Sequence, residues 1–110
     1  MKIIIVGAGK VGFVLAHMLS NEDHDVTVVD RDESRIDTVE ERLDVNTVLG
    51  SCASTAVLMK AGVRDADMLL AVTERDELNI VSCFIAKSYG VHSAIARREA
   101  WISGRARRAF

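Results

Sequence analysis

Residues Lys2–Gly12, K-I-I-I-V-G-A-G-K-V-G, join an apolar run to a glycine-rich loop. The β-branched run Ile3–Val6 predicts a parallel strand that is buried on both faces. Gly7, Gly9 and Gly12 follow with the spacing G-x-G-x-x-G, which is typical of loops that bind the phosphates of a nucleotide. The first glycine allows a tight turn, the second lets a pyrophosphate approach the backbone, and the third lets the next helix pack closely on the sheet.

An acidic residue at the end of the second apolar run supports this interpretation. Asp30 directly follows the run Val26–Val29. Its separation from the glycines along the sequence is about that expected of an acid that binds a ribose. The Asp30 carboxylate would repel a 2′-phosphate, which favours NAD over NADP, although Arg31 beside it could accommodate that phosphate. Asp30 does not separate NAD or NADH from ATP or ADP, since each has a free adenosine ribose. The alternative is a turn that binds nothing, with Asp30 serving only the helix dipole.

Length and composition predict one soluble globular domain. The chain has 110 residues, of which 49% are apolar and 27% are charged. No apolar run approaches the length of a membrane span, and we expect no signal peptide. Cys52 and Cys83 do not have the spacing of metal ligands, and the three histidines do not form a cluster. We therefore expect a cytoplasmic protein with two reduced thiols.

The charge is unevenly distributed along the chain. Residues 1–96 contain nine Lys and Arg against 15 Asp and Glu, whereas residues 97–110 contain five Arg against one Glu. The acidic body argues against a nucleic-acid surface. The basic tail also contains Trp101 and Phe110, which would suit an anionic membrane surface or a nucleic acid. The alternative is a solvated helix or one that packs on a partner.

Strand and helix patterns alternate along the chain. The predicted strands are Ile3–Val6, Val26–Asp30, Thr47–Leu49, Met68–Thr73 and Val91–Arg97. The residues that recur at helical spacing are Val11, Val14, Leu15, Met18 and Leu19, then Ile36, Val39 and Leu43, then Val57, Leu58 and Ala61, then Leu78, Val81, Phe84, Ile85 and Ser88. Asp32 is a good N-cap for the second helix, whereas Gly62 and Gly90 are expected to end the third and fourth.

This alternation predicts an α/β fold, a Rossmann-like doubly wound parallel sheet with strand order 3-2-1-4-5 and helices on both faces. The nucleotide-binding domain would cover residues 1–97, leaving residues 98–110 as a basic C-terminal segment of unclear structure. A crevice is expected between strands one and four. The strand ends that would surround it are Gly7–Gly12, Asp30–Arg31, Gly50–Cys52, Thr73–Glu74 and Arg97.

Each of these strand ends has a possible role beside a ligand. The small residues Gly50 and Ser51 would leave room for an adenine, unless they form only an ordinary turn. Thr73 could contact a phosphate or the second ribose through its hydroxyl and N–H, or cap the helix that follows. Arg97 could reach the phosphates, whereas Lys10 is more typical of a solvated loop residue than of a ligand. Asn79 could brace the Thr73 loop or lie on the surface.

Several stretches together resemble the N-terminal (KTN or RCK) domain of the TrkA family, the regulatory subunits of Trk-type potassium uptake. The matching stretches are M-K-I-I-I-V-G-A-G-K-V-G, V-T-V-V-D, V-L-G-S, L-M-K-A-G-V-R-D-A-D-M-L-L-A-V-T, D-E-L-N-I-V and I-A-R. They cover about residues 1–97, and the fourth is more specific than the glycine motif. Many members of the family carry Asp where this chain has Ser51, and residues 98–110 do not follow the pattern.

The resemblance implies a cytosolic, non-catalytic sensor that binds NAD or NADH, or ATP or ADP. Such domains form homo-oligomers, as dimers or larger rings, at the inner face of the cell membrane beneath a potassium-translocating membrane protein, whose pore they gate. No nucleic-acid partner is implied. By position, the ligand residues would be Gly7, Ala8, Gly9, Lys10, Val11, Asp30, Thr73, Glu74 and Arg97, with Gly50 and Ser51 beside the adenine.

The alternative function is the cofactor-binding portion of an NAD-dependent oxidoreductase. Hydride transfer needs a substrate pocket and an acid–base group that faces the nicotinamide. A chain of 110 residues is used up in forming the cofactor fold, and we identify no catalytic residue beyond it.

Overall fold

A five-stranded parallel sheet forms the centre of the protein in this computed structural model, which describes residues 1–98. The strands are β1 (Lys2–Val6), β2 (Asp25–Asp30), β3 (Asn46–Leu49), β4 (Met68–Ala71) and β5 (Ser93–Ala96). The helices are α1 (Lys10–Ser20), α2 (Glu33–Arg42), α3 (Thr55–Lys60) and α4 (Asp76–Ser88), with a 3₁₀ turn at Val63–Asp65. The strand order β3-β2-β1-β4-β5 confirms the predicted Rossmann-like topology. The predicted basic segment at residues 98–110 lies outside the described residues, apart from Arg98.

The sheet separates two apolar layers, and β1 contributes alternate side chains to each. Ile3 and Ile5 pack in the layer covered by α1 and α2, whereas Ile4 and Val6 pack in the layer covered by α3 and α4. All four side chains are at most 2% exposed. The prediction that this run is buried on both faces is therefore confirmed. Within residues 1–98, no helix is both long and apolar enough to cross a membrane.

Strands β4 and β5 are shorter than the apolar runs predicted. The prediction that β4 extends to Thr73 was wrong. β4 ends at Ala71, the Val72 N–H still bonds to the Val6 carbonyl of β1, and the Thr73 N–H donates to the Asn79 side chain instead. The prediction that β5 begins at Val91 was also wrong, because the Val91 N–H donates to the Ala86 carbonyl at the end of α4. β5 ends at Ala96, although the Arg97 N–H still bonds to β4.

Helical spacing located α1 and α4, but it identified their inward faces only in part. The predicted residues that pack against the core are Leu15, Leu19, Leu78 and Ile85. The buried residues of α4 are Asn79, Ser82 and Ala86, whereas Phe84 is 75% exposed. In α1 the buried residues are the small Gly12 and Ala16. The outward face of α1 instead contains the apolar residues Val11, Val14 and Met18. Small inward residues let both helices lie close to the sheet, and several of their larger apolar side chains remain on the surface.

The first turn of α1 lies directly against the end of β1. Gly7 has a φ of 108°, in the region that favours glycine, and its N–H donates to the Val29 carbonyl at 2.8 Å. A Cβ atom on Gly12 would overlap the Gly7 carbonyl group. The predicted close helix–sheet packing at Gly12 is thus a contact between two backbones.

We predict that Gly12→Ala destabilises the fold by about 3 kcal/mol, because neither backbone can move away without breaking the sheet or the helix. Gly9→Ala is the matched control. A Cβ at Gly9 would have its nearest neighbour, the Arg35 guanidinium, at 3.5 Å. The control should therefore lose less than about 1 kcal/mol, the cost of a poorer N-cap. Urea unfolding of both variants measures the difference, and equal losses would contradict the assignment of the Gly12 contact.

Candidate functional site

A groove opens where the carboxyl ends of β1, β2 and β4 meet, and it contains two cavities of about 280 Å³ each. Of the predicted site residues, the first cavity is lined by Gly7, Asp30, Arg31, Gly50, Ser51, Thr73 and Glu74. The second is lined by Gly9, Lys10, Val11, Thr73, Glu74 and Arg97. The remaining two, Ala8 and Gly12, line neither cavity and are buried in the junction between β1 and α1.

The Asp30 carboxylate joins the glycine loop to the start of α2. Its side chain is 9% exposed. One oxygen accepts a hydrogen bond from the Ala8 N–H at 2.7 Å, and the other accepts from the Asp32 N–H at 2.8 Å. Each carboxylate oxygen has a second lone pair, so both can still accept from a ligand. Asp30 therefore has a structural role within the protein in addition to the predicted role toward a ribose.

Asp32 caps α2, as predicted. Its carboxylate accepts from the Ser34 N–H at 2.9 Å and from the Ser34 hydroxyl at 2.7 Å. The hydrogen bond from the Ser34 hydroxyl, followed by that from the Arg35 N–H, lowers the pKa of Asp32 below its ordinary value. Asp32 thus remains ionised at the mouth of the first cavity, where it adds a negative charge beside Asp30.

Asn79 connects the two loops on the far side of the groove. Its side-chain oxygen lies 2.9 Å from the Thr73 backbone nitrogen and 2.6 Å from the Thr73 hydroxyl. Its NH₂ group donates to the Thr73 carbonyl at 3.1 Å and to the Arg97 carbonyl at 2.8 Å. The side chain is completely buried with all these groups satisfied, so it braces the Thr73 loop rather than lying on the surface.

The groups of Thr73 that the sequence assigned to a ligand are bonded within the protein. The hydroxyl lies near both Asn79 and the Arg75 backbone, and the N–H donates to Asn79. The alternative that Thr73 is the N-cap of α4 was wrong, because the N-cap is Arg75, although the Thr73 hydroxyl accepts from the Arg75 N–H at 3.2 Å. Thr73 shapes both cavities through the loop that it anchors.

Gly50, Ser51 and Cys52 form one wall of the first cavity. The Gly50 N–H donates to the Asp30 carbonyl at 2.9 Å, which fixes this loop beside the end of β2. The Ser51 hydroxyl accepts from the Ala53 N–H at 3.1 Å. Cys52 is a buried free thiol, and burial raises its pKa, so it is protonated at neutral pH.

Arg35 belongs to the groove, although the sequence analysis did not identify it. Its guanidinium extends from the first turn of α2 and lies 3.1 Å from a Glu74 carboxylate oxygen. It also lies 3.9 Å from Asp30 and 4.0 Å from Asp32. The available signal was its position in the first turn after the ribose-type acid, because helical side chains lean toward the N-terminus of their helix. Its partner Glu74, 39 residues away, could not be inferred from the sequence.

These features define a Rossmann-like domain with an open groove at its topological switch point. The chain belongs to the TrkA-N domain family, which matches residues 3–100. It is similar to the Trk system potassium uptake protein TrkA of Halomonas elongata, with 51% identity over 86 residues. That match covers 78% of this chain and 19% of the relative, so the chain spans about a fifth of that protein's length.

Among the solved structures that share the fold are the following two. The Kef CTD of Shewanella denitrificans in its AMP-bound form has a TM-score of 0.72 and 22% identity, covering 86% of this chain and 57% of that one. The TrkA-N domain of the inner membrane protein ybaL from Escherichia coli has a TM-score of 0.66 and 19% identity, covering 98% of this chain and 90% of that one. At these identities the likeness concerns the fold alone.

We predict that Asn79→Asp destabilises the protein by about 3 kcal/mol at pH 7, because the new carboxylate would face the carbonyls of Thr73 and Arg97 in a buried position. Folding then favours the protonated carboxyl, whose folded-state pKa is raised. The deficit should therefore shrink as the pH falls through that pKa. Thermal unfolding between pH 7 and pH 4 measures the effect.

The exposed Asn21 at the C-terminus of α1 provides the control, since Asn21→Asp should change stability by less than about 0.5 kcal/mol. A pH-independent deficit in Asn79→Asp would contradict the proposed hydrogen-bond directions.

Proposed function

We propose that this chain is a regulatory nucleotide-binding domain of a potassium uptake system. The observation that carries the proposal is the groove at the carboxyl ends of β1, β2 and β4, where the glycine loop meets the Asp30 carboxylate. Membership of the TrkA-N family and the similarity to a potassium uptake protein support it. The proposed location is the cytoplasm, at the inner face of the cell membrane through a potassium-translocating partner.

The proposed ligand contains an adenosine, as NAD, NADH, ATP or ADP. The first cavity combines the Asp30 carboxylate with the small residues Gly50 and Ser51, which suit a ribose and a flat ring. The second cavity, beyond the glycine loop, contains Lys10 and Arg97, which suit phosphates or a second nucleoside. The AMP recorded in the related Kef structure is consistent with such a ligand.

Regulation would depend on the part of the ligand that differs between NAD and ATP, beyond the adenosine that they share. Ligands that share an adenosine half would bind the first cavity alike, and a ligand that binds two states equally shifts neither. The second cavity, lined by Thr73, Glu74 and Arg97, is where NAD and ATP would make different contacts. We infer that these contacts select the conformation that the partner protein senses.

We propose a regulatory rather than a catalytic role for the groove. The basic side chains that line the second cavity suit the binding of anions. The carboxylate that lines this cavity, Glu74, forms an ion pair with Arg35. Hydride transfer would need a proton donor or acceptor that faces the nicotinamide. A Rossmann-like fold does not by itself decide between the two roles, because fold does not imply function.

Self-association is part of this proposal, and the outer face of α4 supports it. Ile80, Val81 and Phe84 are 51%, 40% and 75% exposed. Glu77, which pairs with Arg75 at 2.9 Å, and Lys87, which donates to the His92 carbonyl at 2.8 Å, are exposed near opposite ends of α4. A twofold axis through the middle of α4 would pack Ile80 against Phe84 of a second copy and bring Glu77 opposite Lys87. We propose a second copy of this chain as the occupant of this face.

We predict that the 110-residue chain binds at least one of NADH, NAD, ATP and ADP, as measured by calorimetric titration. Asp30→Asn should weaken that binding about tenfold, because it removes charge-assisted hydrogen bonds to the ribose. The ranking of the four ligands indicates whether the domain responds to redox state or to energy charge.

Asp37→Asn is the matched control for this titration, since Asp37 is an exposed carboxylate of α2 that lines neither cavity. It should leave the affinity within about twofold of the original. Absence of binding by all four ligands, or an equal effect of both substitutions, would count against the proposed function.

We predict that Phe84→Glu shifts the chain toward a monomer in sedimentation equilibrium, because it buries a charge in the apolar contact. Glu77→Lys and Lys87→Glu should each weaken association through like-charge contacts, and the double exchange should restore it. Failure of the double exchange to restore association would refute the antiparallel arrangement of α4.

A further inference from the structure

The Arg35–Glu74 ion pair crosses the groove from one side to the other. Arg35 belongs to α2, which follows β2, whereas Glu74 belongs to the loop between β4 and α4. Their side chains meet at 3.1 Å. Both are solvent-accessible, with 43% and 71% of the side chains exposed. An ion pair this exposed contributes little to stability, so the fold does not depend on keeping it closed.

The same pair separates the two cavities. Arg35, Thr73 and Glu74 line both of them, and the other lining residues belong to one cavity each. Asp30 lies on one side of the pair, and Lys10 lies on the other. A ligand that extends from the first cavity into the second must therefore pass the position of Arg35 and Glu74.

The pair also occupies the space above Gly9. A Cβ atom placed on Gly9 would lie 3.5 Å from the Arg35 guanidinium and 3.7 Å from the Glu74 carboxylate. Gly9 is the N-cap of α1 and the point where the loop would admit a pyrophosphate. A guanidinium and a carboxylate thus lie where the ligand's phosphates are expected, the first attracting them and the second repelling them.

We propose that Arg35 is a phosphate-binding residue that exchanges the Glu74 carboxylate for the phosphate of the ligand. This inference rests on the proposed function and adds a residue that determines specificity. The planar guanidinium can bind a phosphate bidentately, as it would a carboxylate, and the phosphate carries more charge. Glu74 acts as a competing anion that leaves when the phosphate arrives. Adenosine, which has no phosphate, binds without this exchange.

The proposal requires substitutions of the two partners to have opposite effects. Arg35→Gln should weaken ADP binding about tenfold, because a bidentate charged contact is lost. Glu74→Gln should tighten it about threefold or more, because the competing anion is removed. If the pair were only a structural strut, both substitutions would break the same contact and would change affinity in the same direction.

The experiment is calorimetric titration of the 110-residue chain and its variants with ADP and with adenosine. Arg42→Gln and Glu33→Gln are matched controls, because each removes one charge from α2 at a residue that lines neither cavity. Adenosine affinity should stay within about twofold in both control variants, and Arg35→Gln and Glu74→Gln should change it less than they change ADP affinity. In the double variant Arg35→Gln/Glu74→Gln, the tightening caused by Glu74→Gln should disappear, because the residue for which Glu74 competes is absent. Thermal unfolding verifies that each variant is folded.

The outcomes separate this inference from the proposed function. If the original chain binds ADP and both single variants weaken it, or if adenosine is affected as much as ADP, the exchange is refuted while nucleotide binding stands. If the original chain binds neither ADP nor adenosine and the titrations with NADH, NAD and ATP also fail, the proposed function fails and the exchange fails with it. Opposite effects on ADP, together with smaller effects on adenosine binding, establish the exchange.

Discussion

The contact between the first turn of α1 and the end of β1 is the constraint on which the groove depends. Gly12 lies so close to the Gly7 carbonyl that no side chain fits between them. This closeness fixes where α1 begins, and therefore where its free N–H groups point. The backbone around Gly9 remains accessible only because the helix starts directly at the edge of the sheet.

Two polar side chains then hold the sides of the groove in place. Asp30 ties the glycine loop to the start of α2, and Asn79 ties the Thr73 loop to the chain after β5. Both act through backbone groups, which would otherwise be left without partners where the strands end. The groove is therefore preorganised on both sides by hydrogen bonds. The exposed Arg35–Glu74 pair that crosses it can open at little energetic cost.

The outer surface follows from the same packing. Small residues on the inward faces of α1 and α4 bring these helices near the sheet, and several of their larger apolar side chains face outward. Phe84 and Met18 are examples on opposite sides of the sheet. An exposed phenylalanine flanked by isoleucine and valine is unusual for a domain that acts alone. For this reason the α4 face is the proposed contact with a second copy of the chain.

The sequence by itself determined the order of strands and helices, the parallel sheet, the glycine loop and the acid at the end of β2. These features depend on local periodicity and on residue spacing within one βαβ unit, which are visible along the chain. The tertiary structure decided which helix faces are buried, where β4 and β5 end, and what surrounds the groove. Asn79 faces inward because its four hydrogen-bond partners come from two separate loops, and Arg35 meets Glu74 because β2 and β4 both adjoin β1. Contacts between residues far apart in the chain depend on the assembled sheet, and a local sequence pattern does not predict them.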